Sequence, residues 1–192
     1  MGKNRLQRPE YCPFVGKGGL KLQFALEHFA LNLANCAAAD LGCHIGGFSD
    51  CLLQNGASRV YAVDTAYGLF DWKLRNDPRV TLYERTNALY WEPPEALDWV
   101  IIDLGWTVQG KSLVKAAGML KPGGGVLSLV KPQYEVPRDW LEKGVLAENR
   151  LAEALAITEK SLPDSLNLIG RVKSPYQGGG GNVEFWFHLV KR

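Results

Sequence analysis

Five polar side chains each follow a short apolar run of this 192-residue chain. They are Asp40, Asp64, Asn87, Asp103 and Lys131. If the runs are parallel strands of an open α/β sheet, their carboxyl ends lie at one edge, where such sheets bind ligands. Carboxylates there can accept hydrogen bonds from a ligand, and a lysine beside a carboxylate can exchange a proton. One such residue alone is commonly a turn or helix-capping group, but five at one edge predict a functional site.

The turn after the first run combines an acid with several glycines and reads DLGCHIGGF at 40–48. Glycines let the backbone approach a ligand closely and open the N-terminus of the following helix towards it. The pattern differs from the G-x-G-x-x-G of nicotinamide and flavin enzymes. Asp64, at the end of the second run, is placed to accept hydrogen bonds from ribose hydroxyls. The two turns favour a cofactor that contains adenosine, and the alternative is an α/β domain that binds another phosphate or no ligand.

The elements that must position these residues alternate between strands and helices. The apolar runs cover 36–39, 59–63, 80–83, 99–102 and 126–130, and the helical segments cover 19–33, 47–55, 68–75, 109–119 and 146–161. Because the runs are apolar on both faces, they predict a parallel sheet with helices on both sides. The tail predicts an antiparallel pair of strands over 165–172 and 183–190. We therefore expect one doubly wound α/β domain at 19–192 after a basic leader at 1–18.

The composition argues against several other classes of protein. With 46% hydrophobic and 22% charged residues, the chain resembles an ordinary globular domain. It has no apolar run long enough to span a membrane and no signal peptide, so we expect a cytoplasmic protein without a membrane partner. The four cysteines form no C-x-x-C pair, and we predict reduced thiols and no metal site.

The charge is concentrated at one end of the chain. The net charge is +2, but residues 1–21 have five basic side chains and one acidic one, for a charge of +4, whereas the remainder carries −2. A basic leader on a near-neutral body favours a polyanionic partner. A solvated terminus without a partner is the alternative.

Six segments carry further motifs. They read DLGCHIGGFSD at 40–50, VYAVD at 60–64, DWKLR at 71–75, ERTN at 84–87, LVKPQ at 129–133 and GNVEF at 181–185. Together they resemble the TlyA (haemolysin-type) branch of the FtsJ-like RNA 2′-O-methyltransferases, over residues 14–192. The resemblance implies a class I S-adenosylmethionine-dependent methyltransferase fold, which is a Rossmann-like, doubly wound sheet of seven strands. The sheet would be mostly parallel, with an antiparallel last strand.

The resemblance also implies which residues form the site. The family's catalytic tetrad falls on Lys21, Asp103, Lys131 and Glu184. Its contacts with the cofactor S-adenosylmethionine fall on Asp40, Gly42, Gly46, Gly47, Phe48, Asp64 and Asn87, with Asp103 also near the methionine part.

The tetrad can be given chemical roles. A ribose 2′-hydroxyl is a poor nucleophile, so methyl transfer from a sulfonium needs in-line positioning and a group that removes the proton. In this interpretation a neutral Lys131 is the base, Lys21 is a nearby cation that disfavours charge on Lys131, and Asp103 orients the amine. Glu184 positions Lys21 or the ribose. Taken singly, the lysines are typical surface residues, Glu184 is typical of an edge strand, and Lys17 is a rival for the role of Lys21.

Three features depart from the family. Members of this branch usually carry an N-terminal S4 RNA-binding domain, whereas only a short leader precedes the predicted fold here, so we expect a chain that lacks the S4 domain. His44 and Ile45 stand where small polar residues are usual in the first cofactor loop. The segment LGWT at 104–107 differs from the serine-containing turn that typically follows the catalytic aspartate.

The sequence thus favours an S-adenosylmethionine-dependent 2′-O-methyltransferase whose partner is RNA, with ribosomal RNA or a ribosomal subunit expected. Lys17 and Lys21, next to Tyr11 and Phe14, are expected to contact phosphates and bases. Two alternatives stay open. One is a cofactor-binding RNA-binding or assembly module with little catalysis, and the other is a small-molecule methyltransferase.

Overall fold

The computed structural model describes residues 12–192, and the first part of the basic leader lies outside them. The main strands are β1 (Ala37–Leu41), β2 (Arg59–Val63), β3 (Val80–Tyr83), β4 (Leu97–Ile102), β5 (Leu120–Val130), β8 (Leu166–Lys173) and β9 (Phe185–Lys191). They form one seven-stranded sheet in the order β3-β2-β1-β4-β5-β9-β8. A separate two-stranded hairpin consists of β6 (Leu141–Glu142) and β7 (Val145–Leu146).

The strand directions confirm the predicted fold class. Strands β1 to β5 pair in parallel, and the order reverses between β1 and β4. The last strand, β9, is antiparallel to both of its neighbours, β5 and β8. It therefore lies inside the sheet, and β8 forms the edge.

Helices cover both faces of the sheet, as the sequence predicts. They are α1 (Gly18–His28), α2 (Gly47–Gln54), α3 (Trp72–Arg75), α4 (Gln109–Met119) and α5 (Leu151–Lys160). Because successive side chains of a strand point to opposite faces, Ile101 and Trp186 pack with α1 and α2, while Ile102 and Phe187 pack with α4 and α5. Within residues 12–192, no helix has both the length and the apolar character that a bilayer crossing needs.

Several boundaries differ from the prediction. The helix expected over 68–75 is only the single turn α3, because its first residues form a loop in which Gly68 has a positive φ of 72°. The helix expected over 146–161 begins at Leu151, after β7 and a short 3-10 turn. Strand β1 continues to Leu41, so Asp40 lies within the strand and not after it.

Candidate active site

Two lysine–carboxylate pairs bring the predicted tetrad together. Lys131 Nζ lies 2.5 Å from Asp103 Oδ1, and Lys21 Nζ lies 2.5 Å from Glu184 Oε2. Three of the four side chains are at most 17% exposed, and Asp103 is 26% exposed. The four residues are therefore held in place by ion pairs that water screens only partly.

Strand pairing explains why these residues meet. Asp103 and Lys131 directly follow β4 and β5, which are neighbouring parallel strands. Glu184 directly precedes β9, and Val130 pairs with Phe185 where β5 and β9 run antiparallel. The register therefore places Glu184 opposite Lys131, at the carboxyl ends of β4 and β5.

Lys21 comes from the first turn of α1, and the chain before α1 determines its position. The backbone N–H of Val15 donates to Asp50 Oδ2 on α2 at 2.9 Å, and the Phe14 side chain is buried. A Cβ on Gly19 would lie 2.3 Å from the Phe14 ring, so only glycine allows this close packing. Lys17, the rival for the first lysine, is exposed, and among the described residues it forms no ion pair.

The electrostatics of Lys131 contradict one expectation. Burial lowers the pKa of this lysine, but the attraction of Asp103 and its hydrogen bond, together with Glu184 and Tyr134, raise the pKa above its usual value overall. The expectation that Lys21 keeps Lys131 neutral is wrong for this geometry. The main reason is the direct pairing of Lys131 with Asp103, and Glu184 in addition pairs with Lys21 and offsets its charge.

Two clefts adjoin the tetrad. The first has a volume of about 440 Å³, and its lining includes Gly42, Asp64, Asn87, Asp103 and Lys131. The second has a volume of about 430 Å³, and its lining includes Lys17, Lys21, Gly47, Phe48 and Asp103. Gly42, His44 and Asp103 line both, so the clefts meet at Asp103. Volumes of this size are typical of small-molecule sites.

The glycine turn brings the backbone close to Asp103. Gly42 has a φ of +94°, and a Cβ there would lie 2.3 Å from the carbonyl oxygen of Asp103. Any larger residue would close the junction between the clefts. Gly46 lines neither cleft, and a Cβ there would lie 2.5 Å from the Leu74 side chain, so its contact with the cofactor stays a prediction.

Asp64 lines the first cleft, as expected, but both of its carboxylate oxygens also accept hydrogen bonds from backbone N–H groups. Oδ2 accepts from the N–H of His44 and Oδ1 from the N–H of Ala66, each at 2.7 Å. Asp64 thus joins the turns that follow β1 and β2. Because each carboxylate oxygen has further lone-pair capacity, it can still accept from ribose hydroxyls.

Asp40 lies beneath the glycine turn and lines neither cleft. Its side chain is fully buried, Oδ2 accepts from Ser49 Oγ at 2.6 Å, and burial raises the pKa of the carboxyl to about 7. Its Oδ1 has no hydrogen-bond partner within the described part of the chain. The expected direct contact of Asp40 with a cofactor therefore stays a prediction that the cleft lining does not support.

Some lining residues were not anticipated from the sequence. Thr65, Thr86 and Thr107 line the first cleft, and two of them adjoin a predicted residue, Asp64 or Asn87, in the chain. Adjacency to a strand end was the available signal for these two. His44, which departs from the family pattern, is exposed at the junction of the clefts with a left-handed φ of 48°.

Comparison with known proteins shows the family to which this chain belongs. A family model described as FtsJ-like methyltransferase matches residues 14–191. YqxC of Bacillus subtilis (strain 168), provisionally described as an rRNA methyltransferase, is 37% identical over 183 residues, which cover 92% of this chain and 65% of the relative. TlyA of Mycobacterium tuberculosis (H37Rv), named a 16S/23S rRNA (cytidine-2′-O)-methyltransferase, is 36% identical over 183 residues, covering 92% of this chain and 68% of that relative.

A solved structure is also similar over most of this chain. It comes from a Streptococcus thermophilus protein that is provisionally described as a hemolysin. The TM-score is 0.90 at 37% sequence identity, over 96% of this chain and 69% of the other. This chain thus spans about two thirds of the length of each of these three proteins.

Proposed function

Because this chain belongs to the FtsJ-like methyltransferase family, we propose that it is an S-adenosylmethionine-dependent 2′-O-methyltransferase of ribosomal RNA. The observation that carries the proposal is the meeting of the Lys131–Asp103 and Lys21–Glu184 pairs where two clefts join. One cleft suits a cofactor and the other a ribose. The names of two relatives, both of which refer to rRNA, support the choice of RNA class.

The first cleft fits the cofactor. S-adenosylmethionine supplies, when bound, a methyl group on a positively charged sulfur. Asp64 and Asn87 provide polar groups for its nucleoside part, while Gly42 allows close approach of the methionine part to Asp103. The acidic side chains of this cleft complement a sulfonium.

Lys131 acts as the base. In its neutral form the amine receives the proton of the ribose 2′-hydroxyl while the ribose oxygen takes the methyl group. Asp103, 2.5 Å away, orients the amine, and Lys21 is held by Glu184 where it can contact the ribose or its phosphate. Because Asp103 favours the ammonium, a proton must leave Lys131 before reaction.

The second cleft is the proposed entrance for RNA. Lys17 is exposed and lines this cleft together with the partly buried Lys21. Phosphate groups are attracted to such lysines irrespective of nucleotide sequence. A ribosomal subunit or its RNA is the proposed partner, and the predicted unit is the domain at 19–192 with the leader at 1–18.

The direct test is methyl transfer from labelled S-adenosylmethionine to ribosomal RNA and ribosomal subunits. We expect Lys131→Ala to lower the rate at least about a hundredfold, because a general base typically contributes that much. The affinity for S-adenosylhomocysteine, measured by calorimetry, should be nearly unchanged. Equal rates in the variant and the unaltered protein would contradict the role of Lys131.

A matched control lies at the opposite end of the same two strands. Lys121 and Asp98 also form a lysine–aspartate pair between β5 and β4, with a distance of 2.8 Å, but they lie far along the strands from Lys131 and Asp103. Lys121→Ala should keep full activity.

The same assays separate the two alternative functions. Binding of cofactor and RNA without methyl transfer would favour an assembly module. Methyl transfer to small molecules only would favour a small-molecule methyltransferase.

A further inference from the structure

A third groove lies beside the catalytic lysine and has the chemistry of a nucleobase site. Its volume is about 500 Å³, and its lining includes Trp106, Gln133, Tyr134 and Arg138. We propose that this groove binds one unpaired nucleobase of the RNA, from the nucleotide next to the one that is methylated. The inference rests on the proposed function and adds a second point of contact with the substrate.

Two aromatic rings form one wall of the groove. The Trp106 and Tyr134 ring centroids are 5.0 Å apart, with 31° between the ring planes. Trp106 is 84% exposed, and its φ of 57° is in the left-handed region that large residues rarely adopt. The strained turn thus presents the indole to solvent, and exposed aromatic rings of this kind stack on bases in proteins that bind single-stranded RNA.

A buried amide forms another part of the lining. The Gln133 side chain is 7% exposed, and its Oε1 has no hydrogen-bond partner in the part of the chain that the structure describes. Leaving a buried polar atom unpaired costs stability, so Gln133 Oε1 needs a partner from outside the protein, such as a water molecule or a ligand group. A carboxamide both donates and accepts hydrogen bonds, which suits the edge of a nucleobase.

The position of the groove indicates the neighbouring nucleotide and not the methylated one. Gln133 follows Lys131 by two residues, so their Cα atoms are at most about 7 Å apart. Yet none of the residues that line the groove lines either cleft at the tetrad. The base attached to the reacting ribose must stay beside that ribose in the clefts at the tetrad. The base of the next nucleotide is connected through a phosphodiester link, which is long enough to let it reach a separate groove.

The charges near the groove indicate stacking and hydrogen bonding more than phosphate attraction. In the segment 133–144, the two bases Arg138 and Lys143 are outnumbered by three acids, Glu135, Asp139 and Glu142, so the formal charge is −1. This slightly negative segment contrasts with the lysines of the second cleft. Binding at the groove should therefore depend on the base and only weakly on salt.

The test compares two probes that differ only in their bases: a hexamer of oligoadenylate and an abasic ribose-phosphate hexamer of equal charge. Binding to the full chain is measured by fluorescence anisotropy with S-adenosylhomocysteine present. We expect oligoadenylate to bind at least about fivefold more tightly, which is the lower range for stacking of one base. Trp106→Ala should abolish this preference, and Gln133→Leu should weaken oligoadenylate binding about three- to tenfold. Neither variant should change the affinity for the abasic hexamer.

Trp72→Ala is the matched control, because Trp72 is also highly exposed, at 75%, but does not line the groove. It should bind both hexamers as the unaltered protein does. Since Trp106 is exposed, its variant stays informative if Gln133→Leu fails to fold. Equal affinity of the unaltered protein for the two hexamers would overturn the inference, as would an unchanged preference in Trp106→Ala.

The binding assay also separates this inference from the proposed function. Base preference that depends on Trp106, in a protein that transfers no methyl group, would overturn the function and leave the groove supported. Both variants could instead transfer methyl groups to ribosomal RNA at the full rate, with unchanged KM and unchanged hexamer binding. That result would support the proposed function and contradict the proposal that the groove binds a nucleobase. No binding of either hexamer to the unaltered protein would also overturn it and favour a protein occupant.

Discussion

The carboxylate partners of the two lysines in the tetrad have different surroundings, and they therefore affect the two lysines differently. Glu184 is 3% exposed and pairs with Lys21, so this pair is nearly neutral as a unit. Asp103 also lines the first cleft, which we propose for the cofactor, and its attraction raises the pKa of Lys131. A bound sulfonium would compete with Lys131 for the carboxylate of Asp103. In the proposed mechanism, Asp103 therefore links binding of the cofactor to the protonation of Lys131.

The raised pKa of Lys131 predicts the pH dependence of methyl transfer. Only the neutral amine can accept the proton, and its fraction increases as pH rises towards the raised pKa. We expect kcat/KM on ribosomal RNA to increase about tenfold per pH unit between pH 7 and 9. A flat profile in this range would argue against Lys131 as the base.

Asp103→Asn should move this profile to lower pH. Without the carboxylate, burial still lowers the pKa of Lys131 while the main attraction that raises it is lost. The maximum rate should fall as well, because the amine is less well oriented. Asp98→Asn, which alters the corresponding pair at the other end of β4, should keep the original profile. An unchanged profile in Asp103→Asn would show that the aspartate does not control the base.

At the scale of elements, the position of Lys21 depends on how α1 and its leading turn pack on α2. Gly19 contacts Phe14, and a Cβ on Gly47 would lie 3.0 Å from the backbone nitrogen of Gly19. Small residues on both sides let the two backbones approach closely. Lys21 is therefore positioned by a contact between helices, whereas Asp103 and Lys131 are positioned by the strands that they follow.

Gly19→Ala should displace this turn. The new methyl group would overlap the Phe14 ring, and overpacking of this kind typically costs about 1–3 kcal/mol of stability. We expect kcat/KM to fall at least about tenfold through misplacement of Lys21. Thermal unfolding and methyl-transfer kinetics measure the two effects.

Gly118→Ala provides the control for this change, since Gly118 is also in a helix and a Cβ there meets no atom within 4 Å. It should leave activity unchanged and stabilise the protein by up to about 1 kcal/mol. If Gly19→Ala kept both full activity and full stability, the proposed packing role of the glycine would be wrong.

At the scale of the whole molecule, the small net charge of +2 limits binding to RNA. Three of the five basic side chains at 1–21 lie in residues 1–11, outside the described part of the structure. Of the other two, Lys17 is exposed and Lys21 is paired with Glu184. We therefore expect weak affinity for RNA that decreases as salt increases, with a small slope because few phosphate contacts are available.

Lys17→Ala should lower the salt dependence of RNA binding. Loss of one phosphate contact reduces the slope of log affinity against log salt by about 0.7–0.9. Filter binding of ribosomal RNA between low and moderate salt measures this slope. Lys121→Ala, which removes one charge away from the clefts, should keep the slope. Equal slopes for Lys17→Ala and the unaltered protein would exclude Lys17 from the RNA path.

The sequence predicted the layout of the sheet because that layout depends on local patterns. Apolar runs that alternate with helical segments were sufficient to predict the five parallel strands. The two apolar segments of the tail, with no helix between them, predicted the antiparallel pair. The lengths of α3 and α5 were overestimated, since a glycine turn occupies the start of the first predicted segment, and the end of β7 and a 3-10 turn occupy the start of the second.

Position at strand ends predicted five of the candidate residues, whereas Lys21 and Glu184 were implied only by the resemblance to the family. What only the tertiary structure decided was which groups face one another. Lys21 and Glu184 are 163 residues apart, and only the register of β5 with β9 and the packing of α1 on α2 bring them together. The charge of Lys131 and the groove at Trp106 and Gln133 likewise depend on distant neighbours. Ionisation and shape are set by contacts through space, which no local pattern of residues specifies.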